Sequence, residues 1–210
     1  MIKNIFPTKI WEIECPDYNK EEAVEKFDSY IKKVGSHKLN YHIADTDTTA
    51  PPYQAKDVTS FLHLDNDFQQ LSVQDLNISN LWPWINQQII EYHNHCRYEN
   101  PDRYKIIGWV NSAPKGGHIV LHNHNPSRTS GVFYVDAEPE QGNLYLLNPN
   151  EAVVGKVRYQ LGYEYDGKWH EFKVKSGKLI LFPGYLYHQA PKNPTDNRRR
   201  LISFDVDIDV

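Results

Sequence analysis

The 210-residue chain contains few cysteines, which excludes a disulfide-stapled secreted domain. Only Cys15 and Cys96 occur, and two thiols do not make a disulfide framework. The segment from Met1 to Pro7 shows neither the apolar stretch nor the cleavage site of a secretory signal. Because free thiols are typical of a reducing compartment, we expect a cytoplasmic protein.

The chain also lacks long apolar runs and an excess of positive charge. No run approaches the roughly 18 apolar residues that a membrane-spanning helix needs, so we expect no membrane segment. The formal net charge of −4 argues against binding to a nucleic-acid backbone, which usually requires a basic surface. Nothing in the composition predicts an oligomeric state.

The texture of the sequence changes near residue 106. Before this point we predict a strand over 5–14, a helix from Asp17 to Gly35 and a helix over 81–96 with Asn80 as its N-cap. Residues 36–60 are polar and turn-rich, and we predict a long loop there that could serve as a lid.

From residue 106 onwards, short β-type runs alternate with Gly, Pro and Asn, as in a sandwich or barrel. The predicted strands are 106–112, 118–123, 130–136, 143–147, 153–160, 162–166, 168–174, 178–182 and 200–210, with a hairpin turn at Asp166-Gly167. We therefore predict a mostly β single domain over 1–210. Its core, residues 106–210, is a jelly-roll-like double-stranded β-helix, and helices of the elaboration over 1–105 pack on one of its sheets.

The histidines at 122 and 124 are the most informative residues of this β-rich part. Side chains two residues apart on a strand lie on the same face, and His188 offers a third imidazole from a distant strand. Three imidazoles with open coordination positions suit Fe(II). A second His-x-His, at His93 and His95, falls in a predicted helix, where such residues do not share a face. At about 3.3 Å of rise per residue, His118 lies too far from His124 on a regular strand to bind the same ion.

Several segments around these histidines resemble one known superfamily. The segment 122–126 followed by 130–135 is similar to a His-x-His-Pro-type segment and its Ser-Gly-Val-Tyr-Tyr strand, and further likenesses lie at 5–11, 109–111, 142–149, 177–188 and 199–205. Together they resemble the Fe(II)/2-oxoglutarate-dependent oxygenases, in particular a branch found in phage and marine bacterial genomes. Two positions depart from the wider pattern. His124 stands where a carboxylate is usual, and Leu201 stands where a serine is usual.

The resemblance implies an enzyme that uses Fe(II), 2-oxoglutarate and O₂, hydroxylates an unidentified small molecule or protein side chain, and releases succinate and CO₂. It implies that His122, His124 and His188 hold the metal, although a water could replace His124, and that no catalytic residue is needed beyond this centre. A terminal arginine would pair with the distal carboxylate of 2-oxoglutarate, a role that suits the guanidinium fork. Arg199 matches the family spacing better than Arg200, and because the two have opposite strand parity only one can face the interior. Asn111 and Tyr134 are further candidate cosubstrate contacts.

Two other hypotheses stay open on the sequence alone. The spacing from Gly116 to His122 matches a cupin motif, so the chain could be a cupin-type metal-binding protein or a 2-oxoglutarate-independent dioxygenase with a three-histidine site. The glutamate that cupins carry soon after this motif is absent, because Arg128 and Thr129 stand there. The 14 tyrosines and five tryptophans would also suit a non-enzymatic barrel that stacks on sugars.

Overall fold

The computed structural model describes residues 7–35, 37–38, 47–48, 76–149 and 169–208. Within these ranges the chain forms two α-helices, a short 3₁₀ helix over Pro139–Gln141 and eleven strands. The helices are α1 (Lys20–Val34) and α2 (Leu81–Cys96). The strands are β1 (Trp11–Glu14), β2 (His37–Lys38), β3 (Asp47–Thr48), β4 (Tyr104–Ala113), β5 (Ile119–His122), β6 (Thr129–Asp136), β7 (Leu144–Leu147), β8 (Trp169–Phe172), β9 (Lys178–Pro183), β10 (His188–Ala190) and β11 (Arg199–Ile208).

The helix α1 begins three residues later than the sequence predicted. The side chain of Asn19 accepts a hydrogen bond from the backbone N–H of Glu22 at 3.1 Å and caps the helix, whereas Asp17 lies in a turn with φ 53°. Gly35 ends the helix with φ 80°, a conformation that favours glycine, and its N–H bonds Ile31 O at 2.9 Å.

The predicted bounds of α2 are confirmed. Asn80 is the N-cap residue, as predicted, and its C=O accepts from Trp84 N at 3.3 Å. It has φ 57°, however, and its side chain makes no capping hydrogen bond. No helix in the described ranges is long and apolar enough to cross a membrane.

Seven strands form the larger sheet, in the order β1-β9-β6-β11-β4-β3-β2, and all described pairings are antiparallel. The long strand β11 lies at its centre, paired with β4 on one side and with β6 on the other. Residues before 106 thus contribute strands as well as helices: β1 forms one edge, and β2 and β3 form the other.

Four strands form the smaller sheet, in the order β5-β10-β7-β8. Its strand β10, which the sequence analysis did not predict, has only three residues between a Pro-Gly turn and Pro191. The predicted strands 153–160 and 162–166 and the hairpin at Asp166-Gly167 lie outside the described residues, as does the predicted loop 36–60 apart from β2 and β3.

The chain stacks in three layers. One apolar cluster joins α1 and α2 to the outer face of the larger sheet, and it includes Phe27, Ile89, Phe133, Leu181 and Ile202. A second cluster lies between the two sheets and includes Tyr134, Leu144, Leu146, Phe182 and Leu201. The alternating residues of β6, β9 and β11 therefore bury both faces of the larger sheet. The predicted class, a mostly β double-sheet fold with helices on one sheet, is confirmed.

Candidate metal centre

Strand pairing brings two of the predicted ligands together. His122 at the end of β5 is the direct partner of His188 at the start of β10. Directly opposed residues of an antiparallel pair project to the same face, and their ring centroids are 4.2 Å apart. The neighbouring strand β7 supports this arrangement, because Leu146 faces His188 from the other side.

The third histidine arrives differently from the prediction. The strand β5 ends at His122, so His124 lies two residues beyond it and is not placed by strand periodicity. Its backbone N–H bonds Gly184 O at 2.8 Å, and its C=O accepts from Ser127 N at 2.7 Å. This turn points the ring back, so that the candidate ligand nitrogens of His122, His124 and His188 all lie within 4.8 Å of one another.

Each of the three rings has a hydrogen-bond acceptor at Nδ1. His122 Nδ1 lies 2.8 Å from Val120 O, and His188 Nδ1 lies 3.0 Å from Leu186 O. His124 Nδ1 lies 2.9 Å from Asp205 Oδ2. These acceptors assign the proton to Nδ1 in a neutral ring and leave Nε2 as the lone-pair donor, the arrangement found around metal-bound histidines.

The Nε2 atoms of His122 and His124 are 3.0 Å apart. With both protons on Nδ1, two lone pairs face each other at this distance and repel. A cation bound to both nitrogens would remove that repulsion, so the donor set fits a metal ion.

Burial keeps His122 and His188 in their metal-binding form. Burial and, second, the neighbouring His124 together lower the pKa of His122 to about 3. Burial, followed by His122 and His124, holds the pKa of His188 well below its usual value. Neutral imidazole is the form that binds metals, so His122 and His188 are ready to bind a cation at neutral pH.

A cavity between the two sheets opens beside the three rings. Asn111 lines it and donates from Nδ2 to Ser203 Oγ at 3.2 Å. Tyr134 also lines it, and burial raises the pKa of its phenol. Further lining residues are Trp109, Val132, Leu144, Phe182, Leu201 and Phe204. The two predicted cosubstrate contacts on β4 and β6 therefore reach the same space as the histidines.

Arg199 is completely buried, at 0% exposure. Its Nη1 donates to Gln141 O at 2.8 Å and to Gly142 O at 2.7 Å. Its Nε and Nη2 are buried with no hydrogen-bond partner among the described residues. A buried charged group without partners is costly. These two donors therefore fit an anionic group such as a carboxylate. The Arg199 guanidinium also interacts electrostatically with Tyr134, which lines the cavity.

Arg200 does not reach the cavity. Its Nε and Nη2 bind Asp28 of α1 at 2.9 and 3.1 Å, and its Nη1 binds Asp136 at 3.0 Å. The structure thus separates the two arginines that the sequence analysis left as alternatives. Opposite strand parity places Arg200 on the helix-covered side of the larger sheet.

Three residues that hold the site were not predicted from the sequence. Asp205 and Ser130 form a hydrogen-bonded chain behind His124, and Trp109 stacks on its ring. Asp205 was detectable, because it is six residues after Arg199 and so shares its strand parity. The second His-x-His behaves as predicted: His93 is a buried, hydrogen-bonded core residue, and His95 is exposed.

Comparison with known proteins agrees with this site. Residues 108–205 match a family model described as "Putative 2OG-Fe(II) oxygenase", a family that uses Fe(II), 2-oxoglutarate and O₂. No curated protein matches the sequence.

Solved structures share the fold at low sequence identity. A prolyl-4-hydroxylase from Pseudomonas putida is 13% identical, with a TM-score of 0.53, over 97% of this chain and 94% of its own. HygX from Streptomyces hygroscopicus, solved with nickel and 2-oxoglutarate bound, is 14% identical, with a TM-score of 0.54, over 96% of this chain and 83% of its own. The epimerase SnoN of nogalamycin biosynthesis is 12% identical, with a TM-score of 0.58, over 96% of this chain and 79% of its own. The resemblance predicted from the sequence is confirmed: residues 108–205 match the 2OG-Fe(II) oxygenase family, within a chain that has the fold of these proteins.

Proposed function

We propose that this protein is an Fe(II)- and 2-oxoglutarate-dependent hydroxylase of a small molecule or protein side chain. The observation that carries the proposal is the pairing of two complementary sites. Three imidazoles converge on one point, and the buried guanidinium of Arg199 has two nitrogens without a partner among the described residues. Arg199 lies two positions before Leu201 on β11, and Leu201 lines the cavity beside the imidazoles. These buried donors suit the distal carboxylate of 2-oxoglutarate, and a cupin-type metal site does not need them.

His122, His124 and His188 would hold the iron through Nε2. The Nε and Nη2 atoms of Arg199 would take the distal carboxylate of 2-oxoglutarate, with Tyr134 and Asn111 along the cavity between. Bound iron and 2-oxoglutarate supply the oxidative chemistry, which consumes O₂ and releases succinate and CO₂. The protein's own part is to orient the cosubstrate and to exclude water, and the apolar walls formed by Leu144, Phe182 and Leu201 serve the second purpose.

The first experiment tests the cosubstrate. Purified protein is mixed with Fe(II) under anaerobic conditions, 2-oxoglutarate is added, and the visible absorption is recorded. O₂ is then admitted, and succinate is measured by mass spectrometry. We expect a weak charge-transfer band, followed by succinate in slow turnover without substrate. A protein that binds iron but gives neither band nor succinate would favour the cupin-type alternative.

The hydroxylase assignment needs a separate readout, because proteins with this fold include an epimerase. Panels of peptides and metabolites are incubated with the loaded enzyme under ¹⁸O₂. Incorporation of one labelled oxygen atom into a product supports hydroxylation. A product that forms with succinate but without the label would show another oxidative outcome.

We also propose that the protein works in the cytoplasm, since both described cysteines are free and only partly exposed. Cell fractionation with an antibody tests this location, and recovery from a secreted or periplasmic fraction would contradict it.

A further inference from the structure

A buried carboxylate stands directly behind one of the three histidines. The Asp205 side chain is 5% exposed, and its Oδ2 lies 2.9 Å from His124 Nδ1. Its Oδ1 accepts from the hydroxyl of Ser130 at 2.7 Å. Ser130 and Asp205 are direct partners in the pairing of β6 with β11, so sheet register fixes the carboxylate in place. Both of its oxygens are thus engaged inside the fold.

Within the described ranges, the other two histidines have no such partner. Val120 O and Leu186 O, which face their Nδ1 atoms, are neutral backbone carbonyls. A metal held by three neutral imidazoles would keep its full double positive charge. As far as the described residues show, His124 alone of the three is connected to an anionic group. His124 also occupies the position where the wider superfamily has a carboxylate ligand.

Aromatic contacts hold the ring of His124 in its plane but do not determine which of its nitrogens carries the proton. Trp109 stacks on it with centroids 5.5 Å apart and an interplanar angle of 13°, and His188 stacks on it at 5.0 Å and 16°. Stacking restricts tilt of the ring. The hydrogen bond to Asp205 adds two further restrictions, on rotation within the plane and on which nitrogen carries the proton.

We propose that Asp205 is a positioning residue that acts on the metal through His124. It fixes His124 with Nε2 towards the ion. Through its hydrogen bond to His124 it also supplies the negative charge that a carboxylate ligand would supply by binding the metal directly. Ser130 orients Asp205 for this role. This inference rests on the metal site of the proposed function.

Metal affinity tests the inference without relying on turnover. The dissociation constants of Ni(II) and Co(II) are measured by calorimetry, and the visible Co(II) spectrum is recorded, for the wild type and for Asp205→Asn, Asp205→Ala and Ser130→Ala. Loss of an outer-shell partner typically weakens metal binding by about 10- to 100-fold. We expect this loss for both Asp205 variants, a shifted Co(II) spectrum, and a smaller loss for Ser130→Ala.

The matched control is Asp136→Asn. Asp136 is also a carboxylate of the larger sheet, but it pairs with Lys20 and Arg200 away from the cavity. This variant should keep the wild-type metal affinity. Folded Asp205→Asn protein with wild-type affinity and an unchanged Co(II) spectrum would overturn the inference.

A second measurement needs no variant at position 205. In the Zn(II)-loaded wild type with ¹⁵N-labelled histidine, His124 should show a protonated Nδ1 whose proton exchanges slowly with water. A His124 that carries its proton on Nε2 would overturn the inference even if the Asp205 variants failed to fold. The two proposals fail separately: wild-type protein that binds no metal refutes both, whereas wild-type binding that Asp205→Asn retains refutes only the role of Asp205.

Discussion

Arg199 and Arg200 are neighbours in β11, yet their guanidinium groups lie on opposite faces of the larger sheet. Arg199 is sealed between the sheets with two nitrogens unpartnered among the described residues, and Arg200 binds Asp28 and Asp136 on the helical side. Adjacent positions of one strand therefore offer a matched pair of variants, in which the same chemical change is made between the two sheets and on the helix-covered face.

Arg199→Gln should weaken 2-oxoglutarate binding strongly. A hydrogen bond to a charged group contributes about 1.5–3 kcal/mol, so losing the ionic contact should raise the apparent dissociation constant by about 10- to 150-fold. Titration of the anaerobic Fe(II) protein with 2-oxoglutarate measures this constant. Arg200→Gln is the control and should bind 2-oxoglutarate as the wild type does, with a small decrease in Tm. Equal affinity in Arg199→Gln and the wild type would place the cosubstrate elsewhere.

Metal binding should stabilise the fold. A ligand that binds only the native state at about 100 times its dissociation constant adds about 2.7 kcal/mol to the free energy of unfolding. Thermal melts with and without Ni(II) measure the effect, which His122→Ala and His188→Ala should abolish.

The second His-x-His provides the control for this metal effect. His95 is exposed and its Nδ1 lies 3.0 Å from Glu91 O. His95→Ala should keep the full shift of Tm with Ni(II). If the Ni(II)-induced change of Tm disappeared in His95→Ala but persisted in His122→Ala, the metal would bind at helix α2 and not between the sheets.

Gly131→Ala should be strongly destabilising. Gly131 faces Phe204 across the pairing of β6 with β11, and a Cβ at position 131 would lie 2.2 Å from Phe204 Cζ. Overpacking of a core typically costs about 1–3 kcal/mol. Urea unfolding should show this loss, and Phe204→Leu should recover part of it in the double variant because the ring is gone. Additive effects of the two substitutions would show that the clash is not the cause.

The buried His93 should make stability fall in acid. Burial lowers its pKa, and its Nδ1 and Nε2 lie 3.1 Å from Pro101 O and Thr129 Oγ1. Since the folded pKa is below the unfolded value of about 6.5, the unfolded chain binds more protons once the pH falls below that value. The stabilising contribution is therefore complete above about pH 6.5 and decreases below it, by at most about 1.4 kcal/mol per pH unit for one group.

Unfolding free energies of metal-free protein between pH 7 and 5 measure this dependence. His93→Gln should show a shallower decline than the wild type, and His95→Ala should follow the wild type. An unchanged slope in His93→Gln would show that His93 is not a source of the acid sensitivity.

Regular periodicity predicted the parts of the fold that long apolar patterns determine. The bounds of α2 and the alternation that separates Arg199 from Arg200 follow from side-chain period alone. Local features were less predictable. Asn19 rather than Asp17 caps α1, because capping depends on one backbone conformation that the sequence does not specify.

The candidate site shows the same division. His122 and His188 stood out as residue types, but their direct pairing depends on β10, a strand of three residues that carries almost no periodic signal. His124 was placed on a strand and instead reaches the site through a turn held by Gly184. The partnership of Asp205 with Ser130 is a matter of register between β6 and β11, which side-chain patterns do not fix.

The three histidines are attached to different layers of the molecule. His122 and His188 belong to the smaller sheet, whereas His124 is tied through Asp205 to the larger one. A bound ion would therefore act as a cross-link between the layers, and its ligand distances would depend on how far apart the sheets sit. Packing residues that do not line the cavity, such as Ala137 and Val174 in the inter-sheet core, should consequently tune metal affinity by changing that separation, so selection on metal retention would extend well beyond the ligands themselves.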